Sequence, residues 1–440
     1  DDQRSREEIH MNMGSIALAH KKSIGSKSFV KTTLVASGNT GEGKNDWIQD
    51  DLSINRESDF FMQSGNITLS SFINTRIGKR IVNRTGFNAS KLFYNIDLNT
   101  TFDHDPSTYL NYAKSRNSSS LIQVFTQTKV ILSKTLSLNV GAYSQYIKLN
   151  KNYTIEPRAG LTWDFNKKHT LSLGYGNHSQ MEELRFYFIK DTLSGEEMIN
   201  KNLKFARAHH FVLGYDYAVN DYLRIKIEPY YQYLYNYPGV PNSAYSMINF
   251  EQDWEFMDKL VNNSKGENIG LDVTVEKFLH ENYYFLVTAS IFDSKYTGGD
   301  GVKRNTRYDK GYVVNGLVGK EFHMGENRNN ILSVNVRGNL FGGNRTTPID
   351  WDASYQEQQT VDDNTRLFED KNPYRLYFDL TVRYRINKEK YTHIWSLEIL
   401  NALPVFSKRS FYSYNNDTQD FKKYTESNIV VPFVSYKIEF

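Results

Sequence analysis

The amino-acid sequence predicts an all-β protein whose strands form a transmembrane antiparallel β-barrel. Three observations lead to this fold class. Apolar and polar residues alternate over runs that are much longer than the strands of soluble proteins. The segments between these runs alternate between short turns and long loops. The last run ends the chain on an aromatic residue, Phe440.

Residues 374–386 show the alternation most clearly, and residues 222–235 repeat it. In each run, one face carries aliphatic and aromatic side chains and the other carries charged and polar ones. A tilted strand that crosses a bilayer needs about 9–11 residues, whereas strands of soluble proteins average about 5–6. The run lengths therefore favour membrane-spanning strands over a soluble β-sandwich, in which the apolar face would pack inside a core.

The composition agrees with many long strands. The 440 residues include 31 Tyr and 27 Phe but only 9 Pro, and Pro cannot donate a hydrogen bond to a β-ladder. There are no Cys, which excludes disulfides, thiolate metal sites and cysteine nucleophiles. The mean hydropathy is −0.59, and no apolar run reaches the roughly 18 residues of a transmembrane helix. The net charge of +3 gives no indication of nucleic-acid binding.

The connections between the predicted strands indicate how the barrel is oriented. Short polar turns are expected at residues 77–83, 166–168, 220–221, 280–282 and 387–390. Long loops are expected at residues 38–59, 99–117, 180–205, 238–264, 343–372 and 402–428. Barrels of the bacterial outer membrane have short periplasmic turns and long external loops. The pattern therefore predicts that all long loops lie on one side of a membrane.

The final strand, residues 430–440, places Val434, Tyr436, Ile438 and Phe440 on one face. A last strand ending in Phe is similar to the signal by which the outer-membrane assembly machinery recognises its clients. Tyr436, Ile438 and Phe440 are therefore candidate assembly-signal residues, and that machinery is a candidate partner. The alternative is an ordinary edge strand that happens to end in Phe.

We count about 17 strands in the sequence, and no plug domain is recognisable in it. Bacterial single-chain barrels have even strand numbers, and an open sheet edge cannot face lipid. Residues 1–440 are therefore expected to be the carboxy-terminal part of a larger barrel. A barrel of 22 strands, the size class of plugged transporters, would need about five more strands upstream.

Charged residues on the predicted strands define a polar face. An Arg or Lys at the middle of a lipid-facing strand costs about 2–4 kcal/mol, so these side chains should point into the lumen of the barrel. The candidate lumen-facing residues are Arg224, Lys226, Glu228, Arg375, Asp379, Arg383 and Arg385.

The long loops carry aromatic residues that could stack on the rings of a ligand, although ordinary loop packing is an equal alternative. The candidate ligand-loop aromatics are Trp254, Phe256, Tyr355, Phe411 and Tyr412.

The sequence shows no catalytic or metal-binding motif. No nucleophile motif such as GxSxG occurs. His209 and His210 are adjacent on a predicted strand, so their side chains point to opposite faces and cannot chelate one metal together. We therefore expect no enzyme activity, cofactor or metal site.

Several strand segments resemble TonB-dependent receptors of Bacteroidetes. They include PRAGLTWDFNKKHTLSLGYGNHSQMEELRFYF at residues 157–188, FARAHHFVLGYDY at 205–217 and NSKGENIGLDVTVEKF at 263–278. The resemblance extends from about residue 64 to the end. Within the family, the sequence is similar to the subgroup with an amino-terminal carboxypeptidase-regulatory-like domain. It implies a 22-strand barrel closed by a plug, with ligand bound outside. Energy would come from TonB, with ExbB and ExbD, through an amino-terminal region missing from this sequence.

The resemblance implies the barrel of an outer-membrane receptor that binds and imports an extracellular nutrient such as a siderophore, glycan, peptide or vitamin. Membrane lipid and lipopolysaccharide are expected partners, and a surface lipoprotein is a further candidate. Two other interpretations share part of this pattern. One is an unplugged outer-membrane channel or structural barrel, and the other is a soluble β-rich binding protein.

Overall fold

The fold is taken from a computed structural model that describes residues 4–49, 51–102, 105–191, 195, 198–250, 256–404, 408–415, 418–427 and 429–440. Almost all regular structure in this part of the chain is β-strand. The α-helix that it contains, α1 (Trp351–Glu357), has 7 residues. Within the same residues, no helix has the length and apolar character needed to cross a bilayer.

The described strands are numbered in chain order. They are β1 Ser5–Ile24, β2 Ser28–Ile48, β3 Ile54–Ile77, β4 Ile81–Phe102, β5 Asp105–Ile131, β6 Leu136–Ile147, β7 Asn152–Asp164, β8 His169–Gln180, β9 Ala206–Ala218, β10 Leu223–Gly239, β11 Val261–His280, β12 Tyr283–Thr297, β13 Lys303–Asn305, β14 Tyr312–Met324, β15 Asn330–Phe341, β16 Arg345–Thr346, β17 Asp370–Lys371, β18 Arg375–Asn387, β19 Thr392–Leu400, β20 Lys408–Asn415, β21 Asp420–Ser427 and β22 Val431–Glu439.

One antiparallel sheet of 18 strands dominates the fold. Its long strands pair with their neighbours along the chain, from β1–β2 to β19–β22, and the 3-residue β13 pairs only with the end of β12. Two small pairs, β16–β17 and β20–β21, lie outside this sheet. In the described residues β1 pairs only with β2 and β22 only with β19, so each has a free edge. Without β13, the sheet has the 17 long strands that the sequence predicts.

The long loops all lie at one end of the sheet, as predicted, and the connections at the other end are short. At one end, tight connections join β3 to β4 at residues 78–80, β11 to β12 at 281–282 and β18 to β19 at 388–391. Gly78 has φ +70°, and Glu281 and Asn282 also have positive φ, as tight hairpin turns require. At the other end, β8 is joined to β9 by residues 181–205 and β10 to β11 by residues 240–260.

The prediction of long loops at residues 38–59 and 99–117 is wrong. β2 and β3 continue through most of the first segment and leave only residues 49–53 as a connection, and β4 and β5 continue through most of the second. These segments are rich in Gly, Asn and Ser, which are typical of loops. Polar side chains nonetheless link the strands, as in the 2.7 Å hydrogen bond from Asn45 Nδ2 to Glu57 Oε2. β1 to β5 are consequently 20 to 27 residues long.

The two faces of the sheet can be followed from strand to strand because paired residues lie on the same face. One such row pairs Arg224 with Glu276, Glu276 with Leu286, and Leu286 with Leu317, and then continues through Arg337 to Asp379. We call this face the polar face and the opposite one the apolar face. On the apolar face, Ile291 is 65% exposed, Ile269 58% and Leu173 55%. Such a continuous exposed apolar surface is typical of contact with lipid.

Aromatic rings bound the apolar face at two levels. Near the turns, Tyr384 pairs with Trp395, which pairs with Tyr436. Nearer the loops, His209 stacks 5.0 Å from Tyr235. On β9, Tyr217 of the turn-side level and His209 are eight residues apart, or about 21 Å along the barrel axis at about 3.4 Å per residue and a tilt of about 40°. That separation is close to the roughly 25 Å apolar band of outer-membrane barrels.

Candidate ligand-binding side of the barrel

A buried group of side chains, which we call the loop core, lies at the loop end of the sheet. Tyr94, Ile96 and Leu98 of β4 contribute to it from the polar face, and side chains of the β8–β9 and β10–β11 loops cover them. The ring of Phe188 lies 4.9 Å from that of Tyr94. The buried members are Tyr94, Ile96, Leu98, Tyr112, Ala113, Phe186, Tyr187, Phe188, Ile189, Leu203, Phe256 and Leu260.

Asparagine side chains join the two loops that form this core. Asn200 is 1% exposed; its Nδ2 donates to the carbonyl of Asp258 at 3.0 Å, and its Oδ1 accepts from the backbone N–H of Leu260 at 2.7 Å. Asn262 Oδ1 accepts from the backbone N–H of Lys204 at 2.8 Å. Because buried backbone groups need such partners, these amides fix the two loops to each other.

Charged groups at the edge of the loop core are buried in part. Arg185 is 4% exposed, and its Nε donates to Glu183 Oε2 at 3.0 Å. Burial, reinforced by the neighbouring Glu183 carboxylate, raises the pKa of Glu182 to about 7. Burial also raises the pKa of the Tyr187 hydroxyl above its usual range. The loop segment that covers the sheet therefore contains a carboxyl group that titrates near neutral pH.

A second group of aromatic residues, the aromatic loop cluster, remains exposed. Helix α1 packs its Trp351 ring 5.1 Å from Tyr412 of β20 and its Tyr355 ring 5.2 Å from Phe421 of β21. On the other face of the β20–β21 hairpin, Phe411 stacks on its cross-strand partner, 5.6 Å away. The members of the cluster are Trp351, Tyr355, Phe411, Tyr412, Tyr414, Phe421 and Tyr424.

Polar groups hold this cluster in place and leave ring surface free. The Tyr355 hydroxyl donates to Asp420 Oδ1 at 2.7 Å, and this bond lowers the pKa of the Asp420 carboxyl. Trp351 is 41% exposed and Tyr355 is 49% exposed. Lys423 Nζ lies 5.8 Å from the centre of the Tyr412 ring, so a positive charge adjoins the exposed rings. The surface can stack on planar or ring-shaped molecules.

Charged side chains on the polar face form ion pairs within a strand or between strands. Asp379 is 8% exposed; its Oδ2 accepts from Arg337 at 2.7 Å and its Oδ1 accepts from the backbone N–H of Asn401 at 2.9 Å. Arg224 Nε donates to Asp216 Oδ2 at 2.8 Å. The other pairs are Lys226 with Glu228 and Arg385 with Glu439. Many charged side chains of the polar face are therefore neutralised by an oppositely charged neighbour.

Comparison with known families identifies the fold. Residues 18–402 match the family model described as "TonB dependent receptor-like, beta-barrel". The chain belongs to this family of TonB-dependent receptor β-barrels. Members of the family are outer-membrane transport proteins rather than enzymes, which places this barrel in the outer membrane of a Gram-negative bacterium. A comparison with curated protein sequences gave no match.

Solved receptors share the fold at low sequence identity. The ferric preacinetobactin receptor BauA of Acinetobacter baumannii is 9% identical, with a TM-score of 0.64 over 98% of this chain and 64% of its own. The ferripyoverdine receptor of Pseudomonas aeruginosa is 12% identical, with a TM-score of 0.66 over 97% and 56%. The ferric-catecholate import receptor Fiu of E. coli is 10% identical, with a TM-score of 0.64 over 99% and 65%. This TonB-dependent receptor barrel thus spans less than two thirds of the length of these proteins.

The predicted site residues fall into three groups in the receptor barrel. Tyr355 and Tyr412 lie on the side of the aromatic loop cluster where α1 meets the β20–β21 hairpin, and Phe411 lies on the other face of that hairpin. Phe256 is 6% exposed and packs 5.8 Å from Phe186 in the loop core, so ordinary loop packing describes its ring. Trp254 lies outside the described residues.

The predicted strand residues occupy the faces given by their pairing. A continuous register puts all seven candidate lumen-facing residues on the polar face: Arg224, Lys226, Glu228, Arg375, Asp379, Arg383 and Arg385. On β22, Tyr436 accepts or donates a 2.7 Å hydrogen bond with His393, and Ile438 lies on the same face. Phe440 follows the strand and is 96% exposed.

Sequence reasoning missed the residues that build the loop core. Phe186, Tyr187 and Phe188 are consecutive, so they show neither strand nor helix periodicity. Their signal was compositional, because LRFYFI is apolar apart from Arg185 and lies inside a segment predicted as a long loop. Burial of three aromatic side chains removes a large apolar area from water, which explains why this loop folds against the sheet.

Proposed function

We propose that this chain forms the membrane wall and the external face of a receptor that binds an extracellular nutrient and imports it. The observation that carries the proposal is the apolar band between two aromatic levels, with all long loops at one end, in a chain of the TonB-dependent receptor family. The driving energy would come from the TonB–ExbB–ExbD system. We further propose that the receptor is of the Bacteroidetes type with a carboxypeptidase-regulatory-like domain, on the strength of the segments at residues 157–188 and 263–278.

Residues 1–440 would be the carboxy-terminal part of a 22-strand barrel whose plug lies elsewhere in the complete protein. The free edges of β1 and β22 support this, because unpaired backbone groups cannot face lipid. This chain covers 56 to 65% of the BauA, ferripyoverdine and Fiu receptors, which is also compatible with additional strands and a plug.

In this arrangement the polar face lines the lumen, including Arg224, Lys226, Glu228, Arg375, Asp379, Arg383 and Arg385. The energetic cost of charge in lipid supports the assignment. The apolar face, with its aromatic levels, would contact membrane lipid and, in the outer leaflet, lipopolysaccharide. At the end of β22, Tyr436, Ile438 and Phe440 would be recognised by the outer-membrane assembly machinery.

The ligand would first meet the aromatic loop cluster, with Tyr355, Phe411 and Tyr412 among its contacts. Exposed rings next to a lysine suit a ligand that has a planar or ring-shaped part. The free loop surface also offers space for a surface lipoprotein partner.

Single-channel conductance of the complete gene product in planar bilayers tests the proposal against an unplugged channel. A plugged receptor should be nearly silent, whereas a diffusion channel or unplugged barrel should conduct ions steadily. In cells, growth on a panel of iron chelates, oligosaccharides, peptides and vitamins should reveal a nutrient whose uptake needs both this protein and TonB. Steady conductance together with TonB-independent uptake would refute the receptor proposal.

A growth assay with matched variants tests the aromatic loop cluster once that nutrient is known. Phe411→Ala and Tyr412→Ala should raise the nutrient concentration that supports half-maximal growth, because each removes exposed ring surface. Tyr153→Ala, a 66% exposed ring outside the cluster, is the matched control. Equal behaviour of all three variants would remove the cluster from the binding site.

A further inference from the structure

Two histidines from neighbouring strands face each other on the polar face. In the β8–β9 ladder, His178 pairs with Ala208 and His210 pairs with Gly176, so the two imidazoles occupy diagonal positions on one face. Arg158 pairs with Gly176, which places the same face next to the Arg158–Glu156 ion pair. His209 lies on the opposite face with Tyr175, as the strand periodicity predicts.

The separation of the two rings fits a shared metal ion. Their centroids are 4.9 Å apart, with 62° between the ring planes. A metal bound by two ring nitrogens at about 2.1 Å would place the centroids about 5.3 Å apart in tetrahedral geometry and about 4.6 Å apart at a right angle. The observed distance lies between these values. Chelation would therefore need rotation of the rings but no movement of the strands.

The surroundings leave both rings free to act as ligands. Within the described part of the chain, neither His178 nor His210 makes a hydrogen bond, so their ring nitrogens are not already used. A Cβ atom at position 176 would lie only 2.5 Å from Nε2 of His178, so the glycine at this position leaves room for the imidazole ring. Among these residues no group of three or more His, Cys, Asp or Glu could share a metal. The two histidines would thus supply two metal ligands, and water or a small chelator would fill the remaining coordination positions.

We propose that His178 and His210 together bind one divalent transition-metal ion on the polar face, Cu²⁺ in preference to Zn²⁺. Imidazole nitrogens suit both ions, and Cu²⁺ binds nitrogen ligands more tightly than Zn²⁺ in the general order of divalent metals. Two ligands without orienting hydrogen bonds should give a dissociation constant on the order of micromolar rather than that of a structural site. The inference is independent of the import function, because it depends only on the geometry of β8 and β9.

Copper titration of the complete protein, purified in detergent without a histidine tag, tests this site. Isothermal titration calorimetry should detect one Cu²⁺ per chain that His178→Gln and His210→Gln each weaken at least tenfold. His323→Gln is the matched control, because His323 lies near the turn end and is exposed. Zn²⁺ should compete for the same site with lower affinity.

Electron paramagnetic resonance of the wild-type protein gives a second, variant-free measurement. The bound Cu²⁺ should show hyperfine coupling to two imidazole nitrogens. A spectrum with one or no imidazole nitrogen would overturn the proposal even if the variants failed to fold. Unchanged Cu²⁺ affinity in the folded double variant H178Q/H210Q would overturn it as well.

Discussion

Placing an arginine at Leu380 should strongly impair insertion of this barrel, whereas the same change at Thr381 should be tolerated. Leu380 pairs with Val336 on one side and Ile399 on the other, all on the apolar face. Thr381 pairs with Asn335 and Glu398 on the polar face. The two positions are adjacent in β18, so they differ in the face they occupy but hardly in depth.

The expected cost follows from the position of Leu380 in the bilayer. Leu380 lies four residues from Tyr384 of the turn-side aromatic level, or about 10 Å along the barrel axis at about 3.4 Å per residue and a tilt of about 40°. In an apolar band about 25 Å tall, this is close to the midplane, where Arg costs about 2–4 kcal/mol. That cost corresponds to a decrease of roughly 30-fold to 900-fold in the folding equilibrium constant. At position 381, Arg would lie on the polar face beside the carboxylate of Glu398, a favourable cross-strand pair.

Urea titration of folding into lipid vesicles, followed by the heat-modifiable mobility of the barrel on gels, measures this difference. Leu380→Ala and Thr381→Ala are the size controls, since both remove side-chain contacts without adding charge. We expect Leu380→Arg to lose at least 2 kcal/mol more than Leu380→Ala, and Thr381→Arg to remain within about 1 kcal/mol of wild type. Equal losses for the two arginine variants would refute the assignment of the two faces.

Three further predictions concern the loops and the polar face. Phe186→Ala should destabilise the loop core by about 3–5 kcal/mol, because it removes a fully buried ring, and limited proteolysis should then cut residues 181–205, whereas the exposed Phe411→Ala should leave that loop protected. Burial raises the pKa of Glu182 from 4.5 to about 7, so the loop at residues 181–205 should lose stability as the pH rises from about 4.5 through 7. Hydrogen exchange of this loop, corrected for intrinsic exchange rates, measures the effect, and Glu182→Gln should abolish the pH dependence. Asp379→Ala should cost about 1–3 kcal/mol in urea titration, because it leaves a buried backbone N–H without its partner. Arg224→Ala, which breaks a partly exposed ion pair, should cost at most about 1 kcal/mol.

The long strands could be predicted because the two faces of each strand are suited to different solvents. In the proposed barrel, β18 meets lipid on one face and water on the other between the aromatic levels, and its sequence alternates accordingly. The same rule explains the failure at residues 38–59 and 99–117. There the alternation ends, and polar side chains such as Asn45, Asp46 and Arg56 link the strands instead. A strand without an apolar face has no period-2 signal, so its Gly, Asn and Ser content resembles that of a loop.

The candidate sites required information that one strand alone does not contain. The aromatic loop cluster joins α1 to the β20–β21 hairpin, and these elements are separated by β18 and β19 in the sequence. The His178–His210 pair depends on the register of β8 against β9, which alternation within each strand does not fix. Residue type therefore identified Tyr355 and Tyr412 as candidates, but only pairing and packing could bring the members of each site together.

The ion pairs of the polar face are individually weak, so one charged side chain can change its partner at little cost. Arg224 pairs with Asp216 of the adjacent strand β9, Arg385 pairs with Glu439 of β22 across the intervening β19, and both pairs are partly exposed. Exposed ion pairs contribute only about 0–1 kcal/mol each, so the wall stays neutral without depending on any one pair for its stability. In the proposed receptor, a plug or a ligand would therefore replace one partner at little cost. The buried Asp379 is different, because it also accepts from the backbone of Asn401, and so loss of its charge should destabilise the barrel itself.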